Sequence, residues 1–264
     1  MASTAPLRYT RADGVVTITL TRPEQRNSLD TATKEALRDA LAEAAGDSTA
    51  RCVVLAGEGK AFSVGQDLRE HAELLGQDND AVWNTVPEHY NPIVLAIATM
   101  TKPVIAALGG IAAGAGAGFA FAADIRMLGE SAGFNLAFAG VGLSADSGAS
   151  WTLPRLVGYG RATELLLRPR TVGAAEALAI GLANRVVPDG RLADEVSALA
   201  QELAQGPTLA YAAIRNALAY SAGHGLADSL AHEAELQAEC GSTADHRAAV
   251  DAFLRKEHPE FHGR

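Results

Sequence analysis

Apolar and polar positions near the N-terminus predict β-structure. Residues 15–20, VVTITL, are β-branched and alternate in polarity, and the turn signal Ala-Asp-Gly precedes them at 12–14. We therefore predict a hairpin over residues 7–20. Two continuous apolar runs, at 51–56 and 102–108, are typical of buried strands.

Helical spacing follows the hairpin and dominates the C-terminal part. Asp30 can cap a helix that Gly46 ends. The apolar face of this helix consists of Leu37, Leu41 and Ala44. From residue 191 onward the spacing predicts helices throughout, and residues 245–256 form a last amphipathic helix. The chain is thus predicted to be a mixed α/β protein whose helical tail covers a core or a partner.

A run of twenty residues without charge, 104–123, is long enough to span a bilayer. Five of the twenty are glycine and most of the rest are alanine, so the gain from transfer into lipid is small, and Lys102-Pro103 and Asp124 close the run. We expect a buried strand, a turn and a buried helix here, and no membrane association.

Composition narrows the class of protein. The 264 residues are 48% hydrophobic and 20% charged, enough apolar surface to fold around a core. A net charge of -9 argues against a nucleic-acid or anionic-membrane partner, because both require a positive surface. Cys52 and Cys240 form neither a disulfide framework nor a metal-ligand spacing, and the N-terminus carries no signal-peptide pattern. We therefore expect a cytoplasmic protein.

The glycine-rich turn Gly114-Ala-Gly-Ala-Gly118 does not fit the dinucleotide or P-loop fingerprints. Small residues after a strand let backbone N–H groups at a helix start approach a ligand closely, and an oxyanion suits them as well as a phosphate. Tight packing of helix against strand explains the same residues equally.

Two motifs carry a family resemblance. Residues 60–68, KAFSVGQDL, and 102–118, KPVIAALGGIAAGAGAG, resemble the crotonase, or enoyl-CoA hydratase/isomerase, superfamily in order and separation. RPEQRNSL at 22–29 and AFLRK at 252–256 extend the resemblance over nearly the whole chain. It implies a spiral of ββα units in an acyl-CoA-binding core at 1–200. It also implies a C-terminal helical region at 201–264 that serves trimer formation.

The resemblance also implies a site. The backbone N–H groups of Gln66 and Ala115 are expected to bind the thioester oxygen of an acyl-CoA and to stabilise its enolate. The residues expected to bind substrate are Arg26, Val64, Gln66, Asp67, Leu68, Ala115 and Phe138. Coenzyme A enters only as part of the thioester substrate, so no metal or other cofactor is expected, and the assembly implied is a homotrimer or homohexamer. Among the basic residues of these segments, Arg22 and Lys60 are weaker candidates than Arg26 for the nucleotide.

The two glutamates of the family's hydratases are absent. Their positions hold Gly118 and Phe138, so hydration by two carboxylates is not expected. Asp146 remains in the right segment as the proton shuttle, and apolar surroundings should raise its pKa. Capping of the next helix would account for the same aspartate.

The stretch around Asp146 is similar to the branch that isomerises 1,2-epoxyphenylacetyl-CoA to oxepin-CoA in phenylacetate catabolism and shifts Δ3 double bonds to Δ2. An acyl-CoA isomerase is the function that this similarity implies, with Phe138 and Phe134 lining the acyl pocket or packing in the core. The segment from the Gln66-Asp67-Leu68 turn to Tyr90 is expected to form a mobile loop, with His71 facing solvent. The variable residues 69–92 are expected to build part of the acyl pocket. The alternatives are an atypical hydratase, an acyl-CoA hydrolase or dehalogenase with Asp146 as nucleophile, and a non-catalytic acyl-CoA-binding scaffold.

Overall fold

Two β-sheets organise the chain, which a computed structural model describes over residues 5–77 and 81–264. Within those ranges the larger sheet has the strand order β1-β2-β3-β5-β7-β10 and the smaller one β4-β6-β8-β9. The strands are β1 (Leu7–Ala12), β2 (Val15–Leu20), β3 (Cys52–Gly57), β4 (Ala61–Ser63), β5 (Val104–Leu108), β6 (Ile111–Ala113), β7 (Ile125–Gly129), β8 (Gly133–Asn135), β9 (Thr171–Gly173) and β10 (Arg185–Val187).

Successive strands divide between the two sheets. In the pairs β3/β4, β5/β6 and β7/β8 the first strand joins the larger sheet and the second joins the smaller one. The predicted hairpin is confirmed as β1 and β2, with Leu7 opposite Leu20, while the other neighbouring strands of the larger sheet pair in parallel. This recurring step from one sheet to the other is the spiral of ββα units that the resemblance implies.

Helices fill the connections and form the C-terminal region. They are α1 (Thr31–Gly46), α2 (Leu68–Gly76), α3 (Ala81–Thr85), α4 (Asn91–Thr99), α5 (Ala115–Ala122), α6 (Ala149–Val157), α7 (Tyr159–Leu167), α8 (Ala174–Ile180), α9 (Leu192–Gln205), α10 (Thr208–Ser221), α11 (Leu226–Gly241) and α12 (Ala244–Arg255). The Asp30 carboxylate accepts the N–H of Thr33 at 2.9 Å, which confirms it as the cap of α1. The predicted helical tail is confirmed by α9 to α12.

The uncharged run 104–123 folds as expected, into β5, β6 and α5. Strand β5 and helix α5 are almost wholly buried, whereas β6 is buried at Ala112 and half-buried at its two ends. Phe134 lies in this core against Phe121, with ring centroids 4.9 Å apart, so its role is packing. Within the described ranges no helix combines the length and the hydropathy that crossing a membrane requires.

The prediction of a mobile loop from the turn at residues 66–68 to Tyr90 is wrong for the residues that the structure describes, and residues 78–80 lie outside them. The segment contains α2, α3 and a π-helix at Val86–Tyr90, and α4 follows it. The missed signal is helical spacing: Tyr90, Ile93 and Ile97 are buried on one face. This helical segment forms one wall of the site described next.

Candidate active site

One cavity of about 840 Å³ brings the expected site residues together. Every residue expected from the sequence to act on or bind substrate lines it: Arg26, Val64, Gln66, Asp67, Leu68, Ala115, Phe138 and Asp146. The walls come from the turn after β4, the start of α5, helix α2, Tyr90 of the π-helix and the segment after β8. Residues up to 120 positions apart in sequence thus share one concave surface.

The Gln66 turn is fixed from both sides. Leu29 donates its N–H to the Gly65 carbonyl at 2.8 Å, and Asp67 donates its N–H to the Leu29 carbonyl at 3.2 Å. Gly65 has a φ of +82°, a conformation that L side chains rarely adopt. Between these anchors, the Gln66 N–H has no acceptor in the part of the chain that the structure describes.

Ala115 begins helix α5, so its N–H points out of the helix without an intrahelical partner. It finds no other acceptor among the described residues. Gly114 before it has a φ of +51°, and Gly116 lies where a Cβ would come within 2.6 Å of the Ser63 carbonyl oxygen. Glycines at 114 and 116 are therefore required by the turn and by close helix–strand contact.

The two turns touch each other. A Cβ on Gly65 would lie 2.8 Å from the Ala113 carbonyl oxygen and 3.2 Å from the Ala115 nitrogen. The absent side chain of Gly65 therefore lets the Gln66 turn approach the N-terminus of α5. Two free N–H donors at adjacent turns, one of them at a helix N-terminus, suit an oxygen that gains negative charge.

Asp146 supplies a carboxylate to the same cavity. Its Oδ1 accepts a hydrogen bond from Ser147 Oγ at 2.8 Å. Burial raises the pKa of Asp146, and the Ser147 hydrogen bond offsets this only in part. The alternative role as a helix cap is not what the structure shows, because the residue preceding α6 is Gly148 and no side chain caps that helix.

Neither hydratase position carries a carboxylate, and each has a structural consequence. A Cβ on Gly118 would lie 2.6 Å from both the Cβ and the carbonyl oxygen of Ser147. Phe138 is buried and lines the cavity, so it adds an apolar wall where the second glutamate would stand.

Asp67 lines the cavity, but its carboxylate is engaged within the protein. It accepts hydrogen bonds from Ser28 Oγ at 2.8 Å and from the N–H groups of Arg69 and Glu70, which it caps, and lies 3.4 Å from the Arg22 guanidinium. Burial alone would raise the pKa of Asp67, but the Ser28 and backbone hydrogen bonds and the Arg22 charge outweigh it and lower the pKa. These bonds hold the Gln66 turn in place.

The basic candidates separate by geometry. Arg22 Nη2 lies 2.9 Å from Asp30, and the Arg22 guanidinium also donates to the Ser28 carbonyl, so this side chain is committed to the fold. Arg26 is exposed at the cavity edge and forms no ion pair among the described residues. Lys60 does not line the cavity. Arg26 is thus the candidate best placed to meet a phosphate.

Sequence reasoning missed Tyr90 and undervalued His71, both of which line the cavity. Tyr90 is 2% exposed, and its hydroxyl donates a hydrogen bond to Gln66 Oε1. His71 is half-buried on α2, edge-on to Trp83 at 6.0 Å between ring centroids. The helical spacing within residues 68–76 and within residues 86–97 was the signal that could have found them.

Comparison with known proteins identifies the family of this chain. The family model for enoyl-CoA hydratase/isomerase matches residues 10–264. The chain is 43% identical over 258 residues to a Rhodobacter capsulatus protein named "Probable enoyl-CoA hydratase", with 98% of both chains covered. It is 39% identical over 252 residues to the 1,2-epoxyphenylacetyl-CoA isomerase of Escherichia coli, covering 95% of this chain and 96% of that protein.

Solved structures agree with the sequence relatives. A crystal structure from Mycobacterium abscessus, designated as an enoyl-CoA hydratase/isomerase, superposes with a TM-score of 0.94 at 44% identity. The superposition covers 98% of this chain and 100% of that chain. The sequence motifs, the two-sheet spiral and these matches lead to one conclusion: the chain belongs to the enoyl-CoA hydratase/isomerase family.

Proposed function

We propose that the protein is an acyl-CoA isomerase that works with two backbone N–H donors and one aspartate. The observation that carries the proposal is the meeting of Gln66, Ala115 and Asp146 in one cavity whose two hydratase positions hold Gly118 and Phe138. A single carboxylate can take a proton from one carbon and return it to another. Net addition of water calls for a second group to activate that water.

The chemistry follows from the donors and the base. The thioester oxygen accepts the N–H groups of Gln66 and Ala115 while Asp146 removes a proton from C2. The electron pair of the broken C–H bond moves into the enolate, and the same proton returns from Asp146 to C4 or to a ring carbon. Each donor contributes roughly 3–4 kcal/mol where negative charge develops. The raised pKa of Asp146 brings its proton affinity closer to that of the enolate.

An acyl group with a ring, or an unbranched 3-enoyl chain, suits the apolar part of the cavity. Phe138, Val141 and Leu143 line the cavity together with Asp146. The identity to the Escherichia coli epoxide isomerase supports a substrate of the 1,2-epoxyphenylacetyl-CoA type and a place in phenylacetate catabolism. Coenzyme A belongs to this substrate, with Arg26 nearest to its phosphates, and Asp67 acts through the turn that it holds.

We also propose a homotrimer, or a hexamer of two trimers. Large apolar side chains stand exposed on the C-terminal helices: Ile214, Leu218, Leu226, Leu230, Phe253 and Leu254. Apolar exposure on this scale in one region is typical of an interface between subunits. Analytical ultracentrifugation of the purified protein tests the assembly, and a monomer at micromolar concentration would contradict it.

Asp146→Asn tests the reaction. Purified wild type is incubated separately with 1,2-epoxyphenylacetyl-CoA, a 3-enoyl-CoA and crotonyl-CoA. The products are then separated, and their masses are determined by mass spectrometry. We expect isomeric products of unchanged mass from one of the first two substrates. Turnover should fall roughly 10²–10⁴-fold in Asp146→Asn with thioester binding retained. Asp39→Asn, on the exposed face of α1, is the matched control and should act like wild type.

Other products separate the alternatives. Gain of one water on crotonyl-CoA would indicate an atypical hydratase, and loss of coenzyme A or a covalent acyl adduct on Asp146 would indicate a hydrolase or dehalogenase. Binding without any product would indicate a scaffold. Full isomerase turnover in Asp146→Asn would remove the aspartate from the mechanism.

A further inference from the structure

Tyr90 joins the helical wall of the cavity to the Gln66 turn. Its ring is buried, edge-on to Phe119 on α5 at 5.8 Å between centroids, and its hydroxyl donates to the side-chain oxygen of Gln66. The same residue therefore contacts both elements that supply a free backbone N–H to the cavity. Beyond this tyrosine, no described side chain hydrogen-bonds the Gln66 amide group.

A π-helical turn sets the position of Tyr90. Asn91 donates its N–H to the Val86 carbonyl, five residues back, instead of the usual four. Such turns insert one extra residue in a helix and occur frequently at functional sites. Here the extra residue directs the Tyr90 ring inward, against α5, while Pro87 and Glu88 remain exposed.

The neighbouring turn is fixed by a buried lysine. Lys34, 2% exposed on α1, places its Nζ 2.9 Å from Thr85 Oγ1 and 3.3 Å from Glu70, and it lies 6.0 Å from the centre of the Tyr90 ring. The buried Lys34 ammonium, held by these partners, restrains the helical wall at the point from which the Tyr90 side chain projects.

The hydroxyl of Tyr90 is protonated at neutral pH. Burial raises the pKa of Tyr90, and the negative charges of Asp146 and Glu70 raise it further. Tyr90 is consequently a permanent hydrogen-bond donor and does not compete with Asp146 as a base.

We propose that Tyr90 is a positioning residue that, through the Gln66 side chain, keeps the Gln66 N–H aimed at the thioester oxygen. The inference rests on the proposed function, because it assigns Tyr90 a role in the same N–H pair. A peptide held at its backbone ends by Leu29 can still rotate about its own axis. The bond from a rigid phenol to the Gln66 amide removes that freedom, and the donor is aligned before substrate arrives.

A double-mutant cycle tests this role. Tyr90→Phe removes only the hydroxyl, and Gln66→Leu removes the side-chain amide that accepts its hydrogen bond while keeping the backbone N–H. We expect either change to lower kcat about tenfold with KM altered less than twofold, since the donor matters most once charge develops. The double variant should lose no more than either single variant. Tyr159→Phe, which removes an exposed hydroxyl, is the matched control and should leave kcat unchanged.

A spectroscopic measurement separates this role from a structural one and from failure of the isomerase proposal. Bound 4-dimethylaminocinnamoyl-CoA should absorb at longer wavelength when the two N–H groups polarise its carbonyl. This red shift should be smaller in Tyr90→Phe and Gln66→Leu, while binding affinity and melting temperature stay near those of wild type. A full red shift in Tyr90→Phe, or losses that add in the double variant, would overturn the role of Tyr90. A red shift in wild type without isomerase turnover would contradict the proposed isomerase reaction but not the role of Tyr90. The absence of a red shift in wild type would overturn both proposals.

Discussion

Ser147 occupies the space that a side chain at Gly118 would need. A Cβ at position 118 would lie 2.6 Å from the Ser147 Cβ, closer than any real contact of that kind. Ser147 is 1% exposed, has a φ of +50° and donates its hydroxyl to Asp146. A positive φ at a non-glycine residue is strained, and it persists only where surrounding contacts hold the backbone in that conformation. Ser147 therefore both leaves no room for a glutamate at position 118 and holds the Asp146 carboxylate.

Gly118→Ala should damage catalysis and stability together. The added methyl group must displace buried Ser147 and with it Asp146, so we expect kcat to fall at least tenfold and stability to fall by about 1–3 kcal/mol. Steady-state kinetics and urea unfolding measure the two effects. Gly160→Ala is the matched control, a helical glycine with open space around its Cα, and should be neutral or slightly stabilising. Equal behaviour of the two variants would contradict the close contact of Gly118 with Ser147.

Restoring the hydratase glutamates should not restore hydration. In Gly118→Glu/Phe138→Glu the first side chain meets Ser147, and the second introduces a charge where a buried phenylalanine stood. We expect a less stable protein that forms no 3-hydroxyacyl-CoA from crotonyl-CoA. Product analysis on the folded fraction of the double variant measures whether hydration occurs. Hydration at a rate comparable to that of isomerisation by wild type would show that position 118 has room for a glutamate.

Much of this arrangement could be predicted from the sequence, because each predicted feature had a local cause. Alternation gave the hairpin, Asp30 marked the start of α1, and the glycine motif pointed to backbone N–H groups near Ala115. The Gly118 contact with Ser147 and the Tyr90 bond to Gln66 could not be predicted, since they join residues 24 or more positions apart. The helical wall was missed because exposed polar residues between its buried positions were interpreted as a loop.

Asp146→Asn should raise thermal stability at neutral pH. The folded-state pKa of Asp146 lies above its ordinary value of 3.8, so its stabilising protonated form is fully present below that value and is lost as pH rises through the folded pKa. Asparagine carries no charge for burial to penalise. We expect a melting temperature above that of wild type at pH 7, with a difference that shrinks as pH falls toward 3.8. A variant less stable than wild type at pH 7 would contradict the raised pKa.

The wild-type pH profile checks the same group through activity. Because the base must be ionised, kcat/KM should rise with pH through an apparent pKa above 3.8. Asp39→Asn, again the matched control, should retain that profile. A rise centred below pH 3.8 would place the base in a less buried setting than Asp146 occupies.

Gly65→Ala should move the N–H groups of Gln66 and Ala115 out of their paired positions. Its φ of +82° and the 2.8 Å that would separate an alanine Cβ from the Ala113 carbonyl oxygen mean that both the Gln66 turn and the start of α5 must move. We expect kcat to fall at least about 10²-fold, as on removing one oxyanion donor, with a smaller change in thioester affinity. Gly46→Ala, at the open C-terminal end of α1, provides the comparison and should keep wild-type kinetics. Unimpaired turnover in Gly65→Ala would mean that the pair does not need close contact between the turns.

Arg26→Ala should weaken binding without slowing chemistry. Arg26 is exposed at the cavity edge, and a charge that meets phosphates of coenzyme A contributes equally in the ground and transition states. We expect KM to rise about fivefold with kcat unchanged, and the effect to shrink at about 0.5 M salt because exposed charges are screened. Lys60→Ala, which removes a charge outside the cavity, should leave KM as in wild type. If the two variants raised KM equally, the interaction with coenzyme A would be a diffuse one, and Arg26 would have no specific place in the site.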